Sequence, residues 1–130
     1  MSLQRNMLFL SLAASALLFA TAARAECVSP GLLGHGGKPC NGCRYEGSMS
    51  TTRDHACDRP WITDATDTIV ITGNRITQRA KHGIAGASTN TWAYQPSPGF
   101  VGTDDFTTEA HFKRENETGS FTVHWTVTVH

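Results

Sequence analysis

The sequence predicts an all-β domain, folded as a β-sandwich and preceded by a Cys/Gly-rich N-terminal extension. Three observations indicate this fold. The last ten residues alternate strictly between apolar and polar side chains, short Thr- and Val-rich runs separated by turn residues begin at Glu46, and outside the first 25 residues no apolar stripe recurs at helical spacing. Six or seven short strands in one domain favour two packed sheets.

The clearest strand is predicted over Phe121–His130, where a period of two places one face on a core and the other in water. The run Phe106–Phe112 alternates more loosely, and the polar sequence RENETG separates the two runs. The two runs are therefore predicted to form a β-hairpin. The side chains expected in the core are Phe121, Val123, Trp125, Val127 and Val129 of the last strand and Phe106, Thr108, Ala110 and Phe112 of the preceding one.

Further strands are expected upstream. The runs 68–72 and 75–77 flank Gly73-Asn74, which is either a tight hairpin or a bulge within one bent strand. Residues 91–94 form another candidate strand. Residues 47–52, together with the residues around Cys57, add one more. By alternation Trp92 faces the core, whereas Trp61 is either an exposed contact residue or buried beneath the N-terminal tail.

The first 25 residues have the order of a secretory signal peptide. Arg5 precedes the apolar run 7–21, and small residues lead to Ala23-Arg24-Ala25. The run is shorter than the about 20 residues that a transmembrane helix needs. We therefore predict cleavage after residue 25, a periplasmic or secreted protein, and no membrane span after cleavage.

The charge of the chain argues against nucleic acid as a partner. The full sequence carries 11 basic and 11 acidic residues, and loss of the leader removes Arg5 and Arg24. The remaining basic residues are scattered, with a single adjacent pair at Lys113-Arg114, so no basic patch is expected.

The four cysteines lie in the first half of the chain, and export would expose them to oxidation. Segment 26–45 is rich in glycine and has no apolar periodicity, so disulfides, a metal or docking must shape it. Two disulfides of unknown pairing are predicted for Cys27, Cys40, Cys43 and Cys57. The alternative is a zinc site built from Cys40, Cys43, Cys57 and His55, or His35 in place of His55. No βαβ pattern surrounds the C-x-x-C, which disfavours redox catalysis.

The pattern Y-x-P-x-x-x-F-x-G-x-D-x-F resembles the signature of bacterial immunoglobulin-like, cadherin-like repeat domains. Lys81-His82-Gly83 and the closing strand TVHWTVTV agree with it, although Ala80 and Thr108 depart from the usual pattern. The resemblance implies a single immunoglobulin-like β-sandwich, which we place at residues 46–130 after segment 26–45. The residues that carry the motif are Tyr94, Pro96, Phe100, Gly102, Asp104 and Phe106.

Two groups of side chains could form sites. Asp104-Asp105 could bind calcium, but Ca²⁺ requires six to eight oxygen ligands and no second acidic cluster lies nearby, so we expect Asp104 to cap a turn. His111 and His124 fall on the outward face of adjacent strands, with Glu109 nearby, and a suitable register would make them neighbours able to bind a metal or respond to pH.

No catalytic motif or cofactor-binding loop is present in the sequence. The sequence therefore predicts an exported, non-catalytic module without a cofactor, which binds a protein or carbohydrate partner that the sequence does not identify. The alternatives are a small exported zinc-binding protein and a secreted inhibitor or toxin accessory.

Overall fold

The computed structural model describes Cys27 and residues 32–33, 39–60, 69–89 and 91–130. The predicted leader, His35 and Trp61 lie outside these residues. The described chain forms eight strands and two sheets. The strands are β1 (Leu32–Leu33), β2 (Arg44–Thr51), β3 (Cys57–Pro60), β4 (Ile69–Gln78), β5 (Gly83–Ser88), β6 (Thr91–Pro96), β7 (Gly102–Arg114) and β8 (Glu117–Val129).

The five-stranded sheet has the order β1-β2-β8-β7-β4, and the three-stranded sheet has the order β3-β6-β5. Neighbouring strands are antiparallel except for β2 and β8, which pair in parallel along the whole of β2, from Arg44 opposite Thr122 to Thr51 opposite Val129. The predicted all-β sandwich is confirmed.

The core lies between the two sheets and is rich in aromatic side chains. Trp92 of β6 packs on Trp125 of β8 with ring centroids 4.2 Å apart, and Tyr94 stacks on Phe106 at 6.0 Å. Every side chain that the alternation assigned to the core face of the last two strands is buried. Burial of these large side chains supplies most of the stabilising free energy of such a domain.

The β7–β8 hairpin is longer than the alternation predicts. Thirteen residue pairs connect it, from Gly102 opposite Val129 to Arg114 opposite Glu117, and only Glu115 and Asn116 form the turn. The turn is therefore shorter than the sequence RENETG that separates the two alternating runs, and Gly119 lies within β8 opposite Phe112. Main-chain pairing continues past the last buried side chain because each further pair satisfies backbone polar groups.

The region around Gly73-Asn74 is a single strand. β4 pairs with β7 throughout, and its register shifts between Ile71 and Gly73 and again between Ile76 and Gln78. Of the two interpretations left open by the sequence, the bulge in a bent strand is the one observed.

The cysteines form two disulfides, Cys27–Cys57 and Cys40–Cys43, with Cα atoms 5.1 Å and 5.4 Å apart. The first bond joins the N-terminal segment to β3, where Cys57 is fully buried. The second closes the turn 40–43, in which the Gly42 N–H donates to the Ser120 carbonyl oxygen at 2.7 Å. Since β2 begins at Arg44, the predicted boundary between residues 45 and 46 falls inside a strand.

Candidate functional site

The Y-x-P-x-x-x-F-x-G-x-D-x-F motif spans the end of β6, a connecting turn and the start of β7. Tyr94, Pro96 and Phe106 are buried, while Phe100 is half-buried and stacks on the His82 ring with centroids 4.5 Å apart. Gly102 is the first residue of β7. The motif therefore joins the two sheets at one end of the sandwich.

The turn between these strands is a type II β-turn over residues 97–100. The Phe100 N–H donates to the Ser97 carbonyl oxygen at 3.0 Å, Pro98 occupies the second position, and Gly99 has φ 77°. Proline followed by glycine is the pattern that this turn requires. The Gly99 N–H also donates to Asp54 at 2.8 Å, which fixes the turn to the loop after β2. The S-P-G-F sequence was a signal from which this geometry could have been predicted.

Asp104 is a buried carboxylate with four hydrogen-bond donors. Its Oδ1 accepts from the N–H groups of Lys81 and Asp105 at 3.0 and 2.9 Å, and its Oδ2 accepts from the His82 N–H and the Tyr94 hydroxyl, each at 2.9 Å. The side chain is only 2% exposed. Asp104 therefore joins β7 to the segment before β5 and to β6.

The expected role of Asp104 as a local turn cap was thus incomplete. Only the Asp105 N–H is local, and the other three donors come from 10 to 23 residues upstream. A calcium site requires carboxylate oxygens that are open to the cation. Each of the two carboxylate oxygens of Asp104 already accepts two hydrogen bonds from the protein.

The surroundings of Asp104 keep it ionised. Burial alone would raise its pKa, but the hydrogen bonds from Lys81, His82, Tyr94 and Asp105 outweigh burial and lower the pKa below its usual value. Burial, together with the adjacent carboxylate, raises the pKa of the Tyr94 hydroxyl, so this group stays a proton donor. The result is a stable, fully satisfied ionic hydrogen-bond centre.

Because Gly83 has no side chain, the main chain directly after His82 can pass close to the Tyr94 ring. A Cβ atom at Gly83 would lie 2.5 Å from the Gln95 carbonyl oxygen and 2.8 Å from the Tyr94 ring. Any side chain there would push β5 away from β6. The His-Gly pair noted in the sequence therefore positions the N–H groups of Lys81 and His82, two of the three backbone donors of Asp104.

Asp105 points to the opposite side of β7 and lies on the outer surface of the five-stranded sheet. Its Oδ2 accepts a hydrogen bond from Gln78 Nε2 at 2.8 Å and lies 3.0 Å from His124 Nε2. The other ring nitrogen, His124 Nδ1, lies 3.0 Å from Glu46 Oε2. We call Glu46, Gln78, Asp105 and His124 the His124 cluster.

The His124 cluster favours a doubly protonated imidazole. Both ring nitrogens face carboxylate oxygens, and an ionised carboxylate can only accept. The hydrogen bonds to Asp105 and Glu46 raise the pKa of His124, and the bond to His124 lowers the pKa of Asp105. Glu46 lies on β2, His124 on β8 and Asp105 on β7, so these charged groups link three strands electrostatically.

A second group lies further along the same surface. Glu109 accepts hydrogen bonds from Arg75, whose Nη2 is 2.9 Å and Nε 3.0 Å from Oε1, and the same oxygen is 3.1 Å from His111 Nε2. We call Arg75, Glu109 and His111 the Glu109 cluster. The two clusters together form what we call the polar face.

The proposed pairing of His111 with His124 does not occur. His111 lies opposite Ser120, and His124 lies opposite Thr107, four residues further along each strand. The register of the long hairpin, which the alternation alone does not set, separates the two imidazoles. His111 contacts Glu109, and His124 contacts Glu46 and Asp105.

The residues of the zinc alternative are not brought together. Cys40 is bonded to Cys43 and Cys57 to Cys27, so none of these sulfurs is a free thiolate. His55 Nδ1 lies 3.1 Å from Thr52 Oγ1 and 2.9 Å from the Arg53 carbonyl oxygen. Within the described ranges, no three His, Cys, Asp or Glu side chains are grouped so that they could hold a metal ion.

A contact between Ser50 and His130 has the atoms of a nucleophile and its base. Ser50 Oγ of β2 lies 3.1 Å from Nε2 of His130, which follows β8, and the contact is exposed. Nucleophilic catalysis also needs a group that orients the imidazole and donors for a developing oxyanion. Since the contact is exposed to solvent, it has the character of a surface hydrogen bond.

Comparisons with protein-family models, with curated proteins and with solved structures give no match for this chain. None of the described segments forms an apolar helix of the length that a bilayer requires.

Proposed function

We propose that this protein is an exported, non-catalytic immunoglobulin-like module that recognises a protein or carbohydrate partner through its polar face. The observation that carries the proposal is the polar face itself. Its charged side chains are held by one another across four strands, on an open sheet surface. Side chains arranged before binding lose little conformational entropy when a partner binds.

The strand order supports the immunoglobulin-like part of the proposal. With β2 to β8 lettered A to G, the sheets read A-G-F-C and B-E-D, apart from the short β1. Immunoglobulin constant-type domains likewise place C, F and G in one sheet and B, E and D in the other. The first strand differs, because here it pairs in parallel with the last strand.

The disulfides support export. Structural disulfides persist in oxidising compartments and are rare in the cytosol. Cys27–Cys57 and Cys40–Cys43 account for all four cysteines of the chain. The signal-like first 25 residues agree with this interpretation.

The composition of the polar face indicates the chemistry of its partner. The face carries acidic and basic side chains next to one another, so it offers both hydrogen-bond acceptors and donors at short spacing. The acidic residues are Glu46, Asp105 and Glu109, and the basic residues are Arg75 and His124. Such a surface fits a ligand that carries both kinds of group, such as a polar protein surface or the hydroxyl groups of a glycan. It does not have the uniform positive charge that a phosphate backbone requires.

Differential capture tests the proposal. The oxidised protein is immobilised and exposed to an envelope extract and to a glycan array, in parallel with Asp105→Ala/Glu109→Ala. The matched control is Gln95→Ala, a change of an exposed residue on the other sheet. We expect a ligand that the wild type and the control retain and the double variant loses. Equal capture by all three proteins would overturn the assignment of the polar face.

A further inference from the structure

An open groove of about 350 Å³ lies on the outer surface of the five-stranded sheet, next to the β7–β8 turn. It crosses β4, β7, β8 and the turn 40–43. Its polar lining residues are Asn41, Thr72, His111, Lys113, Thr118 and Ser120. His111 also belongs to the Glu109 cluster, so the groove adjoins the polar face. Its volume lies in the range of sites that bind small molecules.

One wall of the groove is formed by the bulge in β4. The register with β7 shifts between Ile71 and Gly73, so the exposed Thr72 has no partner residue in β7. Gly73 lies opposite His111, and a Cβ atom at Gly73 would be 3.8 Å from His111 Cδ2. Glycine at this position therefore leaves space beside the imidazole. A bulge of this kind redirects a side chain and is frequent next to functional sites.

The opposite wall is formed by the turn that the Cys40–Cys43 disulfide closes. Asn41 Oδ1 accepts a hydrogen bond from the Ser120 N–H at 3.1 Å, and the Gly42 N–H donates to the Ser120 carbonyl oxygen at 2.7 Å. Both backbone polar groups of Ser120 are thus held by the turn. The second disulfide therefore keeps Asn41 at the edge of the groove.

The groove contains a cation without an acidic partner. Lys113 is exposed, and none of the ion pairs among the described residues includes it. The Glu109 carboxylate beside the groove is already held by Arg75 and His111. Three hydroxyl groups of the groove form no hydrogen bond within the described part of the chain, those of Thr72, Thr118 and Ser120. A ligand therefore meets one ammonium group beside hydroxyl groups that both donate and accept.

We propose that this groove binds an acidic sugar unit, so that the partner of the polar face is a glycan that carries carboxylates; this inference rests on the proposed function. Lys113 donates a charge-assisted hydrogen bond to the carboxylate. The hydroxyl groups of the groove and the Asn41 amide bind the hydroxyl groups of the sugar.

The lining favours an acidic sugar over an acidic peptide. A peptide also offers apolar side chains, which bind best to exposed apolar surface. The aromatic ring in the lining, Phe112, is only 1% exposed. The groove therefore recognises its ligand by hydrogen bonds and charge. Binding of a single sugar unit is expected to be weak, because it buries little apolar area to offset the cost of association.

An NMR titration of the oxidised protein tests the ligand class. The probes are glucuronic acid and galacturonic acid, compared with glucose and acetate at the same pH and ionic strength. At least one uronic acid should shift the amide signals of Asn41, Thr72, Lys113 and Ser120. Glucose and acetate should each bind about tenfold more weakly, since each lacks part of the hydrogen-bonding set. Absence of a shift with both uronic acids, or equal binding of glucose or of acetate, would overturn the proposal.

Lys113→Gln tests the residue that carries the charge. It should weaken uronic acid binding by at least about tenfold, because a charge-assisted hydrogen bond is lost. The matched control is Lys81→Gln, which removes the same charge at another exposed lysine and should leave binding unchanged. Equal weakening by both substitutions would show a general effect of charge and refute the site.

Failure of this inference can be told apart from failure of the proposed function. Uronic acids that do not bind refute the acidic sugar alone, whereas the capture experiment with Asp105→Ala/Glu109→Ala decides whether the polar face recognises a partner.

Discussion

Asp104 and Asp105 are neighbours in sequence and have opposite roles. Strand alternation turns Asp104 into the core, where four donors hold it, and turns Asp105 outward to His124. The sequence identified the motif and its aspartates. It could not identify the partners of Asp104, because Lys81, His82 and Tyr94 reach it only after β5, β6 and β7 have packed.

Replacing Asp104 with Asn should destabilise the fold strongly. The amide nitrogen of Asn cannot accept a hydrogen bond, so two buried donors lose their partner and the ionic character of all four bonds is lost. We expect a loss of about 2–3 kcal/mol in the free energy of unfolding, measured in urea at pH 7. Asp105→Asn is the matched control, and it should cost less than about 1 kcal/mol because the site is more exposed. Equal effects would contradict this interpretation.

The stability contributed by Asp104 also has a defined pH range. Because its folded pKa is lowered, the contribution is complete above the usual carboxyl pKa of about 4 and is lost as the pH falls through the folded pKa. The difference in unfolding free energy between wild type and Asp104→Asn should therefore shrink on acidification. A difference that stays constant from pH 7 down to pH 2 would contradict the role of the ionised carboxylate.

His124 should show the opposite pH dependence. Its folded pKa is raised, so its contribution is complete below the usual imidazole pKa of about 6.5 and is lost as the pH rises through the folded value. His124→Gln should cost about 0.5–1 kcal/mol near pH 5.5 and almost nothing at pH 9, since the side chain is partly exposed. Unfolding at both pH values, with an NMR titration of His124, measures this. A titration midpoint below 6.5 would refute it.

The alternation of apolar and polar residues predicted where the strands lie better than it predicted the residues at which they begin and end. The period of two in β7 and β8 correctly assigned the core face, since burial of Phe106 and Trp125 depends on side-chain spacing alone. It underestimated the hairpin because backbone pairing extends beyond the buried residues. β5 was missed as a full strand, since GIAGAS has little of the β-branched and aromatic character of a strand.

The hairpin turn provides a prediction at the level of the element. Glu115 is the first residue of the two-residue turn and has φ 48°, a conformation that costs an L-residue about 1–2 kcal/mol. Glu115→Gly should therefore raise the free energy of unfolding by about 0.5–1 kcal/mol, after the larger entropy of the unfolded chain is included. Thermal and urea unfolding measure the change.

The neighbouring residue supplies the control for this prediction. Asn116 is not among the positive-φ residues, so Asn116→Gly gains no relief of strain and should lower stability slightly. Stabilisation by Asn116→Gly, or destabilisation by Glu115→Gly, would show that the conformation of the turn does not limit the hairpin.

For the whole molecule, the disulfides decide how the N-terminal segment belongs to the domain. Four cysteines allow three pairings, and only the packed chain selects Cys27–Cys57 and Cys40–Cys43. The first closes a loop with a sequence separation of 30, and the second closes one with a separation of 3. The longer loop restricts the unfolded chain more.

The two bonds should therefore contribute unequally to stability. Changing Cys27 and Cys57 together to Ala should cost about 3–4 kcal/mol, and changing Cys40 and Cys43 about 2 kcal/mol. Urea unfolding of the oxidised proteins measures both values. Intact-mass analysis of the wild type should show the loss of four hydrogens relative to the reduced form, with no bound metal. Four free thiols with one zinc, or a reversed order of the two costs, would contradict this assignment.

The sequence by itself determined the all-β class, the core face of the last two strands, and the place of the motif between the strand at residues 91–94 and the strand that contains Phe106. These properties depend on local spacing and turn chemistry, which adjacent residues carry. Only the tertiary structure decided the cysteine pairing, the donors of Asp104 and the separation of His111 from His124. Each of these depends on strand register and on contacts between residues far apart in the chain, and those are set when the two sheets pack together.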